Sequence, residues 1–150
     1  MLTLFVVWLL FHSVYIVEEV VGLFNSALQL SSSAPTTFNW TGITASDSGQ
    51  YLTAVTSSNN NNDNNDDAEG GSYTSSDYGY SWMQTSVNSS VSWTAITSNS
   101  SGEFLCAASN SGIYISTNVG GNWSNVYNVE GNWVSVASSS TGQYLYALEY

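Results

Sequence analysis

Asp47, Glu103, Glu130 and Glu149 are the scattered acids of this 150-residue chain that could serve as a general acid and its partner. A two-carboxylate glycosidase needs such a pair facing each other across the scissile bond. The four are far apart in sequence, and Glu103 follows a turn that opens a strand, a surface position. A second acidic group, Asp63, Asp66, Asp67 and Glu69, lies in the tract SSNNNNDNNDDAE of residues 57–69. Its oxygens could gather a hard cation such as Ca²⁺. The spacing fits no EF-hand, and Gly70 and Gly71 follow the acids instead of sitting among them. A solvated, low-complexity loop insertion is the plainer reading.

Other chemistries fail on inventory. His12 is the single histidine and sits in an apolar run, so a Ser-His-Asp triad has no base. Zinc lacks ligands, with one histidine and one cysteine in the chain. The glycine-rich loop ending in lysine that cradles phosphate is absent. Cys106, between Leu105 and Ala107, reads as a packed strand thiol, with an intermolecular disulfide as the alternative; one cysteine allows no disulfide within the chain. No catalytic residue is assigned, no metal beyond the weak Ca²⁺ candidate, and no cofactor.

The charge balance narrows the partners. There is no lysine or arginine against 11 acids, a formal net charge of −11. Nucleic acid is excluded as a partner, because that affinity rests on Lys and Arg neutralising phosphates. Anionic lipid surfaces are disfavoured on the same ground. The surface must therefore be largely Ser, Thr, Asn and Gly, which suits a secreted or cell-surface glycoprotein. Sequons at Asn39, Asn88, Asn99 and Asn122 mark N-glycan acceptors in such a protein. Asn88 and Asn99 fall in expected turns; Asn39 and Asn122 carry Trp at the middle position.

The elements that must position these residues come next. Residues 2–17 are almost wholly apolar (LTLFVVWLLFHSVYIV), short for a spanning helix and suited to a secretory signal. No basic flank precedes them and no clean cleavage site follows. Residues 1–30 are therefore read as an apolar N-terminal helix that is a signal peptide or a membrane anchor, or else a buried helix of the fold. Any membrane contact runs through this segment, if it is uncleaved. Residues 31–37 form a linker containing Pro35.

From residue 38 the chain repeats. WTGITASDSGQYLTA, WTAITSNSSGEFLCA and WVSVASSSTGQYLYA begin at Trp40, Trp93 and Trp133. The insertion at 57–71 accounts for most of the longer first interval, leaving a period of about 40 residues, the length of a four-stranded propeller blade. Each unit reads as strand A (Trp-x-x-Ile/Val), a turn with Gly49, Gly102 or Gly142, strand B (aromatic-Leu-x-Ala), strand C and strand D. Between C and D stands a second repeated pattern, Ser-x-(Asp/Asn)-x-Gly-x-x-Trp. It occurs as Ser75, Asp77, Gly79 and Trp82, and again as Ser116, Asn118, Gly120 and Trp123. The short polar side chain is expected to bond backbone N–H groups two residues on, glycine to supply a positive φ, and tryptophan to open the next strand.

This spacing resembles the Asp-box (BNR) repeat of sialidase-like β-propellers, in which the box is a structural turn away from the active face. The resemblance implies an all-β fold over residues 38–150: a partial propeller of about two and a half four-stranded antiparallel blades. It does not imply sialidase chemistry, since that family grips the substrate carboxylate with arginines and this chain has none. The leading expectation is a non-enzymatic, secreted structural or recognition module, glycosylated, with carbohydrate or another extracellular protein as partner. Tyr78, Tyr80 and Trp82 could offer ring faces to sugar, although turn or core packing is the plainer use. Alternatives are a fragment of a sialidase-like glycoside hydrolase whose catalytic blades lie elsewhere, and a filament subunit that self-associates through open blade ends.

Overall fold

The computed structural model describes residues 15–17, 28–30, 39–58, 71–85 and 91–150. Every regular element among them is a β-strand. Strands β1 (Tyr15–Val17) and β2 (Leu28–Leu30) pair antiparallel. The helix expected over residues 1–30 otherwise lies outside the described residues, as do His12 and the acids at 63–69. Where the segment is described it is extended, in keeping with the preference of Tyr, Ile and Val for the pleated backbone. No described helix is long and apolar enough to cross a membrane.

The repeats fold as read. The first makes a four-stranded antiparallel sheet in chain order: β3 (Asn39–Ala45), β4 (Leu52–Ser57), β5 (Ser72–Ser75) and β6 (Met83–Gln84). The second does the same with β7 (Trp93–Ser98), β8 (Leu105–Ser109), β9 (Gly112–Ser116) and β10 (Ser124–Tyr127). The third supplies β11 (Trp133–Ser138) and β12 (Leu145–Glu149), paired to each other. The D strands β6 and β10 start one residue after Trp82 and Trp123 instead of at them.

The three A–B ladders share one irregularity. The register slips between Trp40 and Gly42, between Trp93 and Ala95, and between Trp133 and Ser135. An extra residue on one strand re-aims a side chain out of the ladder. In the first sheet that residue is Thr41, whose hydroxyl donates to the Trp93 carbonyl of the next sheet at 2.8 Å. Thr94 holds the same place in the second sheet, but its buried hydroxyl finds no partner among the described residues.

The core lies between sheets. Val55 of the first sheet packs with Val91, Trp93 and Ala107, and Ile96, Tyr114 and Trp123 close around them. Cys106, Ala108 and Ile113 of the second sheet pack against Trp133 and Val136 of the third. Side chains of β8 thus alternate between the two clusters, and the strand is buried along its whole length. Its run of Leu, Cys, Ala, Ala and Ser is small because stacked sheets sit about 10 Å apart. Cys106 is reduced and buried, and removal from water pushes its thiol up to about 11.

Two outcomes follow from this packing. Gly49 and Gly102 occupy the same turn position with φ of +72° and +75°, but a Cβ on Gly49 meets nothing within 4 Å, whereas on Gly102 it lies 3.0 Å from Tyr51 Cβ and 3.1 Å from Ser46 Cβ. Urea denaturation should show Gly49→Ala costing about 1 kcal/mol and Gly102→Ala about 2 kcal/mol or more, since only the second adds a clash to the backbone penalty. Cys106 should resist alkylation by iodoacetamide at pH 8 in the native chain and react fully in denaturant, as measured by intact mass, because the thiolate is the nucleophile.

Candidate functional site

The two ends of the sheets differ. One carries the A–B and C–D hairpin turns; the other carries the B–C loops and the connections from one sheet to the next.

At the turn end, the C–D hairpins are fastened by their own side chains. The Ser75 hydroxyl donates to Asp77 Oδ1 at 2.8 Å and accepts the Gly79 N–H at 2.8 Å. Asp77 Oδ1 accepts the Ser81 N–H at 2.9 Å, and the Ser81 hydroxyl donates to Oδ2. The second copy repeats this: the Ser116 hydroxyl donates to Asn118 Oδ1 at 3.0 Å and accepts the Gly120 N–H at 2.9 Å, while Asn118 Oδ1 accepts the Asn122 N–H at 2.8 Å. The carboxylate and the amide therefore reach four residues on, not two as the sequence reading had it. The reason is the backbone: Tyr78 and Gly79 have φ of 61° and 86°, and Val119 and Gly120 have φ of 56° and 79°. Two successive left-handed residues, closed by Tyr80 N–H to Asp77 O at 3.2 Å and Gly121 N–H to Asn118 O at 3.0 Å, make a tight primed turn. That fold-back brings the fourth N–H onto the side-chain oxygen.

The tryptophans serve these turns unequally. Trp82 is half-buried and its indole N–H donates to Gly79 O at 3.1 Å. Trp123 instead lies against Trp93 with ring centroids 5.1 Å apart, and its indole nitrogen is buried without a partner among the described residues. Tyr78 and Tyr80 are exposed on the first turn.

The sequence reading passed over a second fastening. Ser46, Asn99 and Ser139 begin the three A–B turns, and in each turn the side-chain oxygen accepts the N–H five residues on, at 3.1 Å. The turns are then stitched sheet to sheet through main chain, and beside the first stitch the Ser98 hydroxyl donates to Ala45 O at 3.0 Å and lies 2.8 Å from the Thr44 hydroxyl. Asp47 N–H donates to Ser100 O at 2.8 Å, and Ser100 N–H donates to Ser140 O at 2.8 Å. Within each complete sheet the two turns also join, by Tyr78 N–H to Gln50 O and Val119 N–H to Glu103 O, both 3.1 Å. The recurrent (Ser/Asn)-x-(Ser/Thr)-Gly at fixed distance from each leading Trp is the signal that could have revealed it.

The candidate acids fall into two groups. Asp47 and Glu103 lie exposed at the turn end, Glu130 and Glu149 exposed at the loop end. At the loop end, Tyr127 packs edge-on against Trp133 at 5.8 Å, and the Trp133 indole donates to Val129 O at 3.2 Å. Gly131 lies against the Glu149 carboxylate, where a Cβ would come within 2.7 Å of Oε1. Among the described residues no three His, Cys, Asp or Glu side chains gather to hold a metal. Of the sequons, Asn39 and Asn122 are exposed. Asn99 is 8% exposed and its side chain is the one that fastens the second A–B turn. Asn88 lies outside the described residues.

The described architecture is that of propeller-like blades. The solved structures it resembles include the GH74 enzyme of Niastella koreensis, at 16% identity and a TM-score of 0.55 over 72% of this chain and 18% of that one. An ancestral GH74 enzyme matches at 22% identity and a TM-score of 0.57 over 79% of this chain and 17% of that one. This chain thus spans under a fifth of the length of each. No protein-family model matches the sequence, and no curated protein does. The likeness establishes the fold. It also corrects the expectation of a non-enzymatic structural or recognition module, because the neighbours are β-propeller glycoside hydrolases. Absence of arginine bears on one hydrolase chemistry only.

The Asp77 turn yields a pH test. Hydrogen bonds from the Ser81 hydroxyl and N–H, then from Ser75, hold the Asp77 carboxyl below its usual value of 3.8. A group lowered in the folded state stabilises above its unfolded pKa, and that contribution fades as pH falls through the folded value. The Ser81 amide signal in NMR should therefore titrate with a midpoint below 3.8, while the Asn122 amide, bonded to a side chain that cannot ionise, stays level. Asp77→Asn should make Ser81 behave like Asn122.

Proposed function

We propose that this chain is part of a β-propeller glycoside hydrolase, to which it contributes successive blades. The observation that carries the reading is the structural match to GH74 enzymes over 72% and 79% of this chain and under a fifth of theirs. The two Ser-x-(Asp/Asn)-x-Gly-x-x-Trp turns act as Asp-box repeats, pinning each blade's outer hairpin at the end remote from substrate. Carbohydrate then faces the opposite rim, where Tyr127, Trp133, Glu130 and Glu149 stand together with the loops that join blades. Aromatic faces with nearby acids suit a neutral sugar, and a chain without cations suits a substrate without charge. Secretion fits the same reading, through the apolar leader and a surface of neutral polar residues. The catalytic acids are supplied with the remaining blades.

The test is hydrolysis by the longer polypeptide. Expressed from its full reading frame, it should cleave neutral glycosides from a polysaccharide panel, followed by reducing-end release, while residues 1–150 alone should give none at equal concentration. A full reading frame without further blades, or one that cleaves no glycoside, would overturn the proposal.

A further inference from the structure

We propose that Asn122 carries an N-linked glycan, and that this glycan covers the open outer edge of β10. The proposal rests on the secretory side of the function proposed above and needs no hydrolase activity. Three sequons stand among the described residues, and the fold accounts for two of them. At Asn99 the side-chain oxygen takes the Phe104 N–H and the Ser101 hydroxyl, both at 3.1 Å, and a Cβ on Gly142 of the next turn would lie 3.3 Å from Asn99 Cβ. Ser46 and Ser139 fill the same place in the other two turns, so Asn99 is there to close a turn. At Asn39 the side-chain amide donates to the Ser57 hydroxyl, and the Thr41 hydroxyl of the same sequon donates to Trp93 O of the next sheet at 2.8 Å.

Asn122 and Ser124 have no such employment. Asn122 gives its backbone N–H to Asn118 Oδ1 at 2.8 Å and holds its side chain in solvent, as does Ser124. Trp123 between them turns the other way, against Trp93, so alternation along the extended chain puts both recognition residues outside and the bulky one inside. Their exposure does not depend on how far the chain extends, because the second sheet has the first packed on one face and the third on the other. β10 is the outer strand of that sheet, with no strand beyond it among the described residues. Ser124–Tyr127 are all exposed and uncharged, Val126 at 53% and Tyr127 at 51%. Open edges of this kind pair with other chains unless a charge, most often lysine, a bulge or a cover prevents it. This chain has no lysine. A bulge between Asn125 and Tyr127 blunts the far end of the strand, and a bulky, solvated glycan rooted at Asn122 covers the near end. Asn122 belongs to the turn end of the sheet, so its glycan leaves the proposed sugar-facing rim clear.

The whole 150-residue chain is expressed in a eukaryotic host behind a cleavable secretory leader of known strength, so that a weak native leader and an unused sequon are told apart. Glycopeptide mapping of the secreted and cell-associated chain should find a glycan at Asn122, removed by peptide N-glycosidase with conversion of that residue to Asp, and none at Asn99. Tryptophan in the middle position slows transfer, so occupancy below full is expected; Ser124→Thr should raise it and Ser124→Ala abolish it. Asn99→Ser, which keeps the turn oxygen, should leave the glycan in place. In light scattering, the Ser124→Ala chain should associate at a lower concentration than the glycosylated one, and the two made in a host without N-glycosylation should associate alike. A bare Asn122 peptide in every fraction, or a glycan on Asn99 of the secreted chain, would overturn the proposal. Equal association of the two chains from the glycosylating host, or a difference that persists without glycosylation, would overturn the covering role.

Discussion

One main-chain thread holds the sheets in their order. The amide of Asp47 reaches the carbonyl of Ser100, and the amide of Ser100 reaches the carbonyl of Ser140. These bonds fix each A–B turn on the next, so the tryptophan that follows each connection comes to rest on the sheet before it. Trp93 lands on Val55, and Trp133 lands beside Cys106 and Ala108. The thread also explains the small side chains of β8. A strand with neighbours on both edges and sheets on both faces has no room for more, and its polar atoms must be satisfied inside the ladder.

The architecture was legible because it is written three times. A tryptophan, a glycine nine positions on and an aromatic-Leu pair recur in register, and a repeat of that length has few folds open to it. Details carried by backbone dihedrals were not legible. Nothing in the residue types of Tyr78 or Val119 announces a left-handed backbone, which for a β-branched residue is an outlier. The reach of Asp77 to Ser81 depends on it. Asn99 misled in a different way: a sequon in a turn reads as exposed, but here the asparagine closes that turn with its own oxygen and is buried by doing so. Alternation was also hard to judge, since β8 has two buried faces and its pattern changes only in which sheet each side chain meets.

The site was less readable than the scaffold. Four acids of equal standing in sequence separate in space into a turn-end pair and a loop-end pair, and only the topology does the sorting. The rim formed by Tyr127, Gly131, Trp133 and Glu149 gathers residues from the end of one repeat, the start of the next and the end of its second strand. No motif spans them. Inventory arguments address one specific mechanism at a time, as with triads and zinc.

The stitch between A–B turns runs from amide to carbonyl and reads no side chain. Asp, Ser and Ser hold the three equivalent places without altering it. A gene segment encoding one blade can therefore be duplicated and drift at these three places without breaking the stitch. Ancestry in such a lineage is preserved in geometry long after it has faded from the letters.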